Sequence, residues 1–308
     1  VPTNEPRPTK AQRRDDARAK ALAMRKEQER RAKRNRIIGI TVLVVAVLGL
    51  GAAGFWIWNQ NQENTISGSN VVYGGDSSNV VAPALSDVTA PSTANDKGGI
   101  PISKDGVGKA GDDDVVVAVY FDLQCPYCQH FDAANASDLD TMAASGDVTV
   151  QYHPISFLND SSLGTNYSTR AANAVAIVAD KAPEKFTAFV TKLYDNQPAE
   201  QTKGLSDAKI AEIAQDAGVP SSVTDTFADT VKGSYQTKDS SGATTSHDGE
   251  WRTFAPWIAA ATEQASTDMG GKLGTPFVTI DGKEFSGDLY TQGPLMQQVQ
   301  AAVAAKKG

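Results

Sequence analysis

VVVAVYFDLQCPYCQHF, residues 115–131, holds both cysteines of the 308-residue chain, Cys125 and Cys128. The β-branched run before them, ending in Tyr120 and Phe121, predicts a buried strand. Pro126 follows Cys125 where the first turn of a helix accepts a residue without N–H. Phe131, Leu139 and Met142 then fall on one face of that helix, and Gly146 suits its end. VTVQYHPI, residues 148–155, alternates as a strand does. Strand, helix and strand in this order form a βαβ unit with parallel pairing.

Working outward, GGIPIS (98–103) predicts a further short strand. STRAANAVAIVADKA, EKFTAFVTKLYDN, SDAKIAEIAQDAG and SSVTDTFADTVKG each predict a short helix between residues 168 and 233, with Ser206 and Ser221 as N-caps. TKDSSGATTSHDGE (237–250) reads as a polar loop. WRTFAPWIAAATEQASTDMGG (251–271) predicts a helix broken or kinked at Pro256. PFVTID and KEF, joined by Asp281-Gly282, predict a hairpin, and residues 291–307 a closing helix. The order is βαβ, helices, ββα.

The spacing of the cysteines carries chemistry. A helix start presents unpaired N–H groups and a partial positive charge. These stabilise a thiolate at Cys125, the attacking species in thiol–disulfide exchange. Cys128, one turn on, is placed to resolve a mixed disulfide. A purely structural bond closing so small a loop removes little chain entropy. A structural zinc site using His130, His153 or His247 generally needs four ligands, and the chain has no second cysteine pair. No metal and no cofactor are expected. His130 is expected to point around the helix from Cys128, His153 to be a satisfied fold residue, and His247 to be exposed.

Charge divides the chain. Residues 1–36 carry 13 Lys/Arg against 5 Asp/Glu, and residues 37–308 carry 16 against 31, so a +8 segment precedes a −15 one. Between them, IIGITVLVVAVLGLGAAGFWIW (37–58) has no charge over 22 positions. As a helix it spans roughly 33 Å, enough for a hydrocarbon core of about 30 Å. Arg34 and Arg36 flank one end, and Phe55, Trp56 and Trp58 the other. The expectation is a retained single-pass anchor with a cytoplasmic N-terminus, because Trp-Ile-Trp directly after the small residues opposes a cleavage site. The basic segment is expected to lie against anionic lipid rather than nucleic acid. Residues 59–98, rich in Asn, Ser, Gly and Thr, read as a flexible tether of roughly 35 Å.

YFDLQCPYCQHF, ISFLNDSSLGTNYSTRAANA, NQPAEQTKGLSD and GTPFVTIDG resemble the DsbA-like thiol–disulfide oxidoreductases of the thioredoxin superfamily, in particular the membrane-anchored exported type of Gram-positive actinobacteria. The resemblance covers about residues 99–305. It implies an α/β thioredoxin fold with an inserted helical domain at about 160–270, preceded by the single transmembrane helix. It further implies Cys125 as nucleophile, Cys128 as resolving cysteine, and Pro276 as a cis-proline facing them. Thr275 would then pair backbone to backbone with an extended substrate, while Pro126 and Tyr127 tune the pair. Asp122, three residues before Cys125, is expected either to help move the Cys128 proton or to orient the loop through Asx-type hydrogen bonds; the alternative is an exposed strand end. The function implied is disulfide donation to exported proteins bearing thiols, with reoxidation by a membrane partner. Pro-Tyr in place of the Pro-His of strongly oxidising members keeps a reductase or isomerase as the alternative, and a non-redox binding or metal-delivery module as a third reading.

Overall fold

The computed structural model describes residues 72–73 and 79–308. The expected basic segment and membrane span, residues 1–36 and 37–58, lie outside the described residues, as does most of the 59–78 stretch. Among the described residues no helix is long and apolar enough to cross a membrane.

A mixed six-stranded sheet organises the chain in the order β2-β1-β4-β3-β7-β8. Its strands are β1 (Ile100–Ser103), β2 (Gly106–Val107), β3 (Val115–Phe121), β4 (Val148–Pro154), β7 (Phe277–Ile280) and β8 (Lys283–Glu284). β3 and β4 run parallel, with Val117 opposite Val150, and are joined by helix α1 (Pro126–Ala144). β7 lies antiparallel on the other side of β3, Tyr120 opposite Phe277. The turn to β8 places Asp281 at φ 47° and Gly282 at φ 73°, the two left-handed positions that Asp-Gly supplies in a tight hairpin.

The alternation of β3 sorts the core. Val117, Val119 and Phe121 join the main cluster with Phe131, Leu139 and Met142 of α1 and with Leu295 and Val299 of α7 (Pro294–Lys307). Ala118 and Tyr120 point to the opposite face, into a smaller cluster with Ile155 and Ala265.

Between β4 and β7 the chain makes helices α2 (Tyr167–Lys181), α3 (Phe186–Asp195), α4 (Asp207–Asp216), α5 (Ser221–Thr224) and α6 (Ala255–Asp268). α2 is buried from Tyr167 to Ala179; its alanines let neighbours approach from all sides. Ser206 caps α4 by accepting from the Lys209 N–H.

Four expectations are corrected. The helix expected over 221–233 is a single turn that Pro220, not Ser221, precedes as N-cap. The polar loop at 237–250 is instead most of a hairpin, β5 (Thr230–Lys238) paired with β6 (Thr244–Arg252), so the insertion is not wholly helical. Pro256 starts α6 rather than kinking it. Finally, residues 79–98 are not a free tether. Val81 N–H donates to Gln236 O on β5, Ser92 N–H to Asp180, and the Thr93 hydroxyl to Ala179 O. Pro91, Gly98 and Gly99 are buried. Gly98, at φ 76°, lies so close to α6 that an added Cβ would stand 2.8 Å from that of Ala261. Polar composition misleads here because the segment's anchoring is largely hydrogen-bonded.

A fragment beginning at residue 99 is therefore expected to melt several degrees below one beginning at residue 79, since lost hydrogen bonds contribute about 1 kcal/mol each. Equal melting temperatures by circular dichroism would show that the docked segment adds nothing.

Candidate active site

The carboxyl end of β3 delivers the chain to residues 122–125, and Cys125 stands as N-cap of α1 with extended backbone, φ −75° and ψ 117°. Pro126 occupies the first helical position. Cys125 N–H donates to Asp122 O at 3.0 Å, closing the turn. Both thiols are free, with Cys125 5% exposed and Cys128 1% exposed.

Their environments push them apart. The Cys125 thiol is lowered to about 6, chiefly by a hydrogen bond from the Cys128 side chain, then by the Thr275 hydroxyl and the N–H groups of Cys128 and Tyr127, against the opposing effect of burial. Burial, followed by the hydrogen bond and charge of Cys125, raises Cys128 well above the ordinary thiol range. At neutral pH the outer sulfur is thus the anion and the inner one keeps its proton.

The Thr275–Pro276 peptide is cis, and the Thr275 carbonyl accepts from Cys125 Sγ at 3.3 Å. The buried Thr275 hydroxyl has no other hydrogen-bond partner, which leaves it to serve the thiolate.

Asp122 is fully buried, not an exposed strand end. Its Oδ1 accepts from Gln124 N–H at 2.9 Å, an Asx-type turn, and from the Ser168 hydroxyl of α2 at 2.7 Å. Its Oδ2 accepts from Leu158 N–H at 3.0 Å. Burial pushes the carboxyl up to about 6 despite these donors, and the Cys125 charge pushes the same way.

Residues not singled out from the sequence complete the loop's support. Gln124 Nε2 donates to Ser161 O at 3.0 Å, and Tyr194 O–H to Asp122 O at 3.4 Å. Gln197 Nε2 reaches Leu123 O at 2.9 Å and Cys125 O at 3.0 Å. Ser168 and Gln197 fall within stretches that carried the resemblance, but no spacing rule links them to the cysteines.

The rim is aromatic. Tyr127, 60% exposed, lies 6.0 Å between ring centres from Tyr290, 48% exposed, and His130 is beside both. His130 is exposed and turned from the buried Cys128, and His247 is exposed on β6. His153 is buried and stacked on Tyr120 at 4.2 Å, yet its Nε2 has no hydrogen-bond partner, so it is not the satisfied residue expected. Burial lowers it to about 4, leaving it neutral. Among the described residues, no three His, Cys, Asp or Glu side chains group to hold a metal ion.

Residues 108–294 match the thioredoxin family. A 98-residue stretch is 40% identical to the serine/threonine-protein kinase PknE of Mycobacterium tuberculosis, covering 30% of this chain and 17% of the kinase. The chain thus spans about a sixth of the length of the curated relatives it matches. Among solved structures, MdbA of Actinomyces oris, a thiol-disulfide oxidoreductase, aligns with TM-score 0.50 and 18% identity over 71% of this chain and 96% of its own. Reduced DsbA of M. tuberculosis aligns with TM-score 0.45 and 21% identity over 67% and 99%. At 18% identity the likeness to MdbA is one of fold. The chain belongs to the thioredoxin family, and its Cys125-Pro-Tyr-Cys128 motif stands at a strand-to-helix junction, where the helix start favours a thiolate.

Proposed function

We propose that the chain is an exported, membrane-tethered oxidase that donates the Cys125–Cys128 disulfide to proteins folding outside the membrane. The observation that carries the reading is the opposed treatment of the two sulfurs, with Cys125 lowered and Cys128 raised. Stabilising the Cys125 thiolate stabilises the reduced enzyme and so makes its disulfide a better oxidant. The basic run at 1–36 and the uncharged run at 37–58 support the tether.

In the proposed cycle a client thiolate attacks Cys125 Sγ. The Cys125–Cys128 bond breaks, a client–Cys125 disulfide forms, and Cys128 departs and takes a proton. A second client thiolate attacks the client sulfur of the mixed disulfide. The client gains its disulfide, Cys125 leaves as a thiolate, and two electrons remain on the enzyme. A leaving thiol of low pKa leaves faster, so the environment that marks Cys125 assists this second step. The Thr275 carbonyl, 3.3 Å from Cys125 Sγ, is placed for an extended client to pair beside the sulfur, and Pro276 follows it. A membrane reoxidase then removes the two electrons.

Equilibration in glutathione buffers tests the direction. The expected potential lies well above thioredoxin's, about −270 mV, towards the oxidising extreme of about −120 mV. A value at or below thioredoxin's would make the chain a reductase. In the same protein, Cys128→Ser given a disulfide-bonded client is expected to accumulate a client–Cys125 mixed disulfide, its Cys125 thiolate attacking the client disulfide and releasing one client thiol, and Cys125→Ser to lose exchange; exchange surviving in Cys125→Ser would remove Cys125 as nucleophile.

Stability should follow the thiolate. Cys125 drops from 9.0 unfolded to about 6 folded. A depressed folded value contributes stability fully present above the unfolded pKa and lost as pH falls through the folded one. The contribution is about 1 kcal/mol at pH 7 and about 4 kcal/mol above pH 9. Asp122, raised from 3.8 to about 6, has the opposite sign, its stabilisation being complete below 3.8 and lost as pH rises through 6. It is present in both redox forms, so its burial-driven part cancels between them and the remaining difference belongs to Cys125 and its coupling to Asp122. Melting of reduced and oxidised protein is expected to show the reduced form's advantage growing from pH 5 to pH 8. A gap independent of pH would mean that no thiolate is stabilised.

A further inference from the structure

The Cys125 carbonyl is over-subscribed. It accepts from Cys128 N–H at 3.1 Å and Gln129 N–H at 3.3 Å, the first bonds of α1, and from Gln197 Nε2 at 3.0 Å. A carbonyl oxygen has two lone pairs. The Cys128 N–H is also one of the groups that stabilise the Cys125 thiolate. The same N–H therefore serves two acceptors, the oxygen and the sulfur of one residue.

Gln197 comes from the insertion, on the turn that ends α3. Its own N–H donates to Tyr194 O at 3.1 Å, and that oxygen also accepts from Gln129 Nε2 at 2.8 Å. The turn is thereby fastened to α1 independently of the Gln197 side chain. The side-chain amide itself goes wholly to the active-site loop, to Leu123 O at 2.9 Å and Cys125 O.

We propose that Gln197 is a positioning residue for the Cys125 thiolate, its amide sharing the Cys125 carbonyl and so weakening that oxygen's hold on the Cys128 N–H in favour of the sulfur. The consequence for catalysis rests on the reading of Cys125 as nucleophile; the effect on the sulfur does not. Without the amide, Cys125 O, already 3.1 Å from the Cys128 nitrogen, has one donor fewer and holds that N–H more strongly, so the sulfur's share of it falls.

The test uses the full chain carrying Gln197→Met or Gln197→Leu, two side chains of similar size without a donor, beside Asn196→Ala. Asn196 lies on the same turn, but its side chain donates to Lys192 O, at 3.0 Å, and not to the active-site loop. The Cys125 pKa is read from the pH dependence of its alkylation by iodoacetamide, located by mass spectrometry, and the potential from glutathione buffers. Each Gln197 variant is expected to raise the Cys125 pKa by about half a unit to one unit. The potential is expected to fall by up to about 30 mV, a tenfold change in the exchange constant. Asn196→Ala is expected to move neither. An unmoved pKa in either folded Gln197 variant overturns the proposal, and so does an equal shift in Asn196→Ala. A lower melting temperature of the oxidised protein with an unmoved pKa assigns Gln197 to structure alone. Failure of the nucleophile reading looks different: Cys125→Ser would retain exchange while the Gln197 variants still shifted the Cys125 pKa.

Discussion

The stabilisation of one sulfur anion at the start of α1 is the interaction on which the chemistry depends. Lowering Cys125 from 9.0 to about 6 corresponds to about 4 kcal/mol of preference for the thiolate. The span from thioredoxin's potential to the oxidising extreme is about 150 mV, or roughly 7 kcal/mol. The thiolate at Cys125 is thus large enough to set most of the direction of electron flow. The donors responsible come from two parts of the chain: the first turn of α1, including the Cys128 side chain, and the Thr275 hydroxyl just before β7. The sulfur reports on whether those parts are held in register.

Asp122 holds them and opposes them at once. Its carboxylate ties the end of β3 to the loop at Leu158 and to Ser168 of α2, and its carbonyl ties Cys125 N–H and Tyr194. A buried acid with this many donors rigidifies its surroundings. It also places a second negative charge near the thiolate, and each raises the other. The loop therefore balances a geometric gain against an electrostatic cost. Gln197, a neutral donor, adds support without a charge of its own.

The sheet and the cysteine helix were legible because their signals are local. The β-branched run at 115–121, the alternation at 148–154, Pro126 after Cys125 and Asp281-Gly282 each state a conformation within a few residues. The hairpin of β5 and β6 was not legible, because Thr230–Lys238 and Thr244–Arg252 show no apolar alternation. Its support is non-local: Val80 bridges Thr237, and the Tyr73 ring meets Trp251 edge-on at 5.4 Å. The burial of Asp122 and the reach of Gln197 were hidden for the same reason. Gln197 bonds carbonyls 72 and 74 residues away, and a side-chain amide meeting a distant backbone leaves no periodicity to read.

Topology explains why these distant partners meet at the cysteines. β3 and β4 are parallel, so the chain leaves β4 at Pro154 on the same edge of the sheet where Phe121 runs into the active-site loop. β7 is antiparallel to β3, and Tyr120 pairs with Phe277, so the chain must come back to that same edge before it starts β7. Any segment inserted between β4 and β7 therefore begins and ends beside Cys125. The bond from Ile155 N–H to Phe121 O, at 2.9 Å, marks the departure, and Thr275 against the sulfur marks the return. The insertion can vary in length, helix content or even gain a hairpin without altering a single pairing in the sheet. Its two ends remain fixed at the thiolate, so changes near those ends act on the surroundings of Cys125, whereas Tyr167, Phe189 and Trp257 further in belong to the main core and act on the fold.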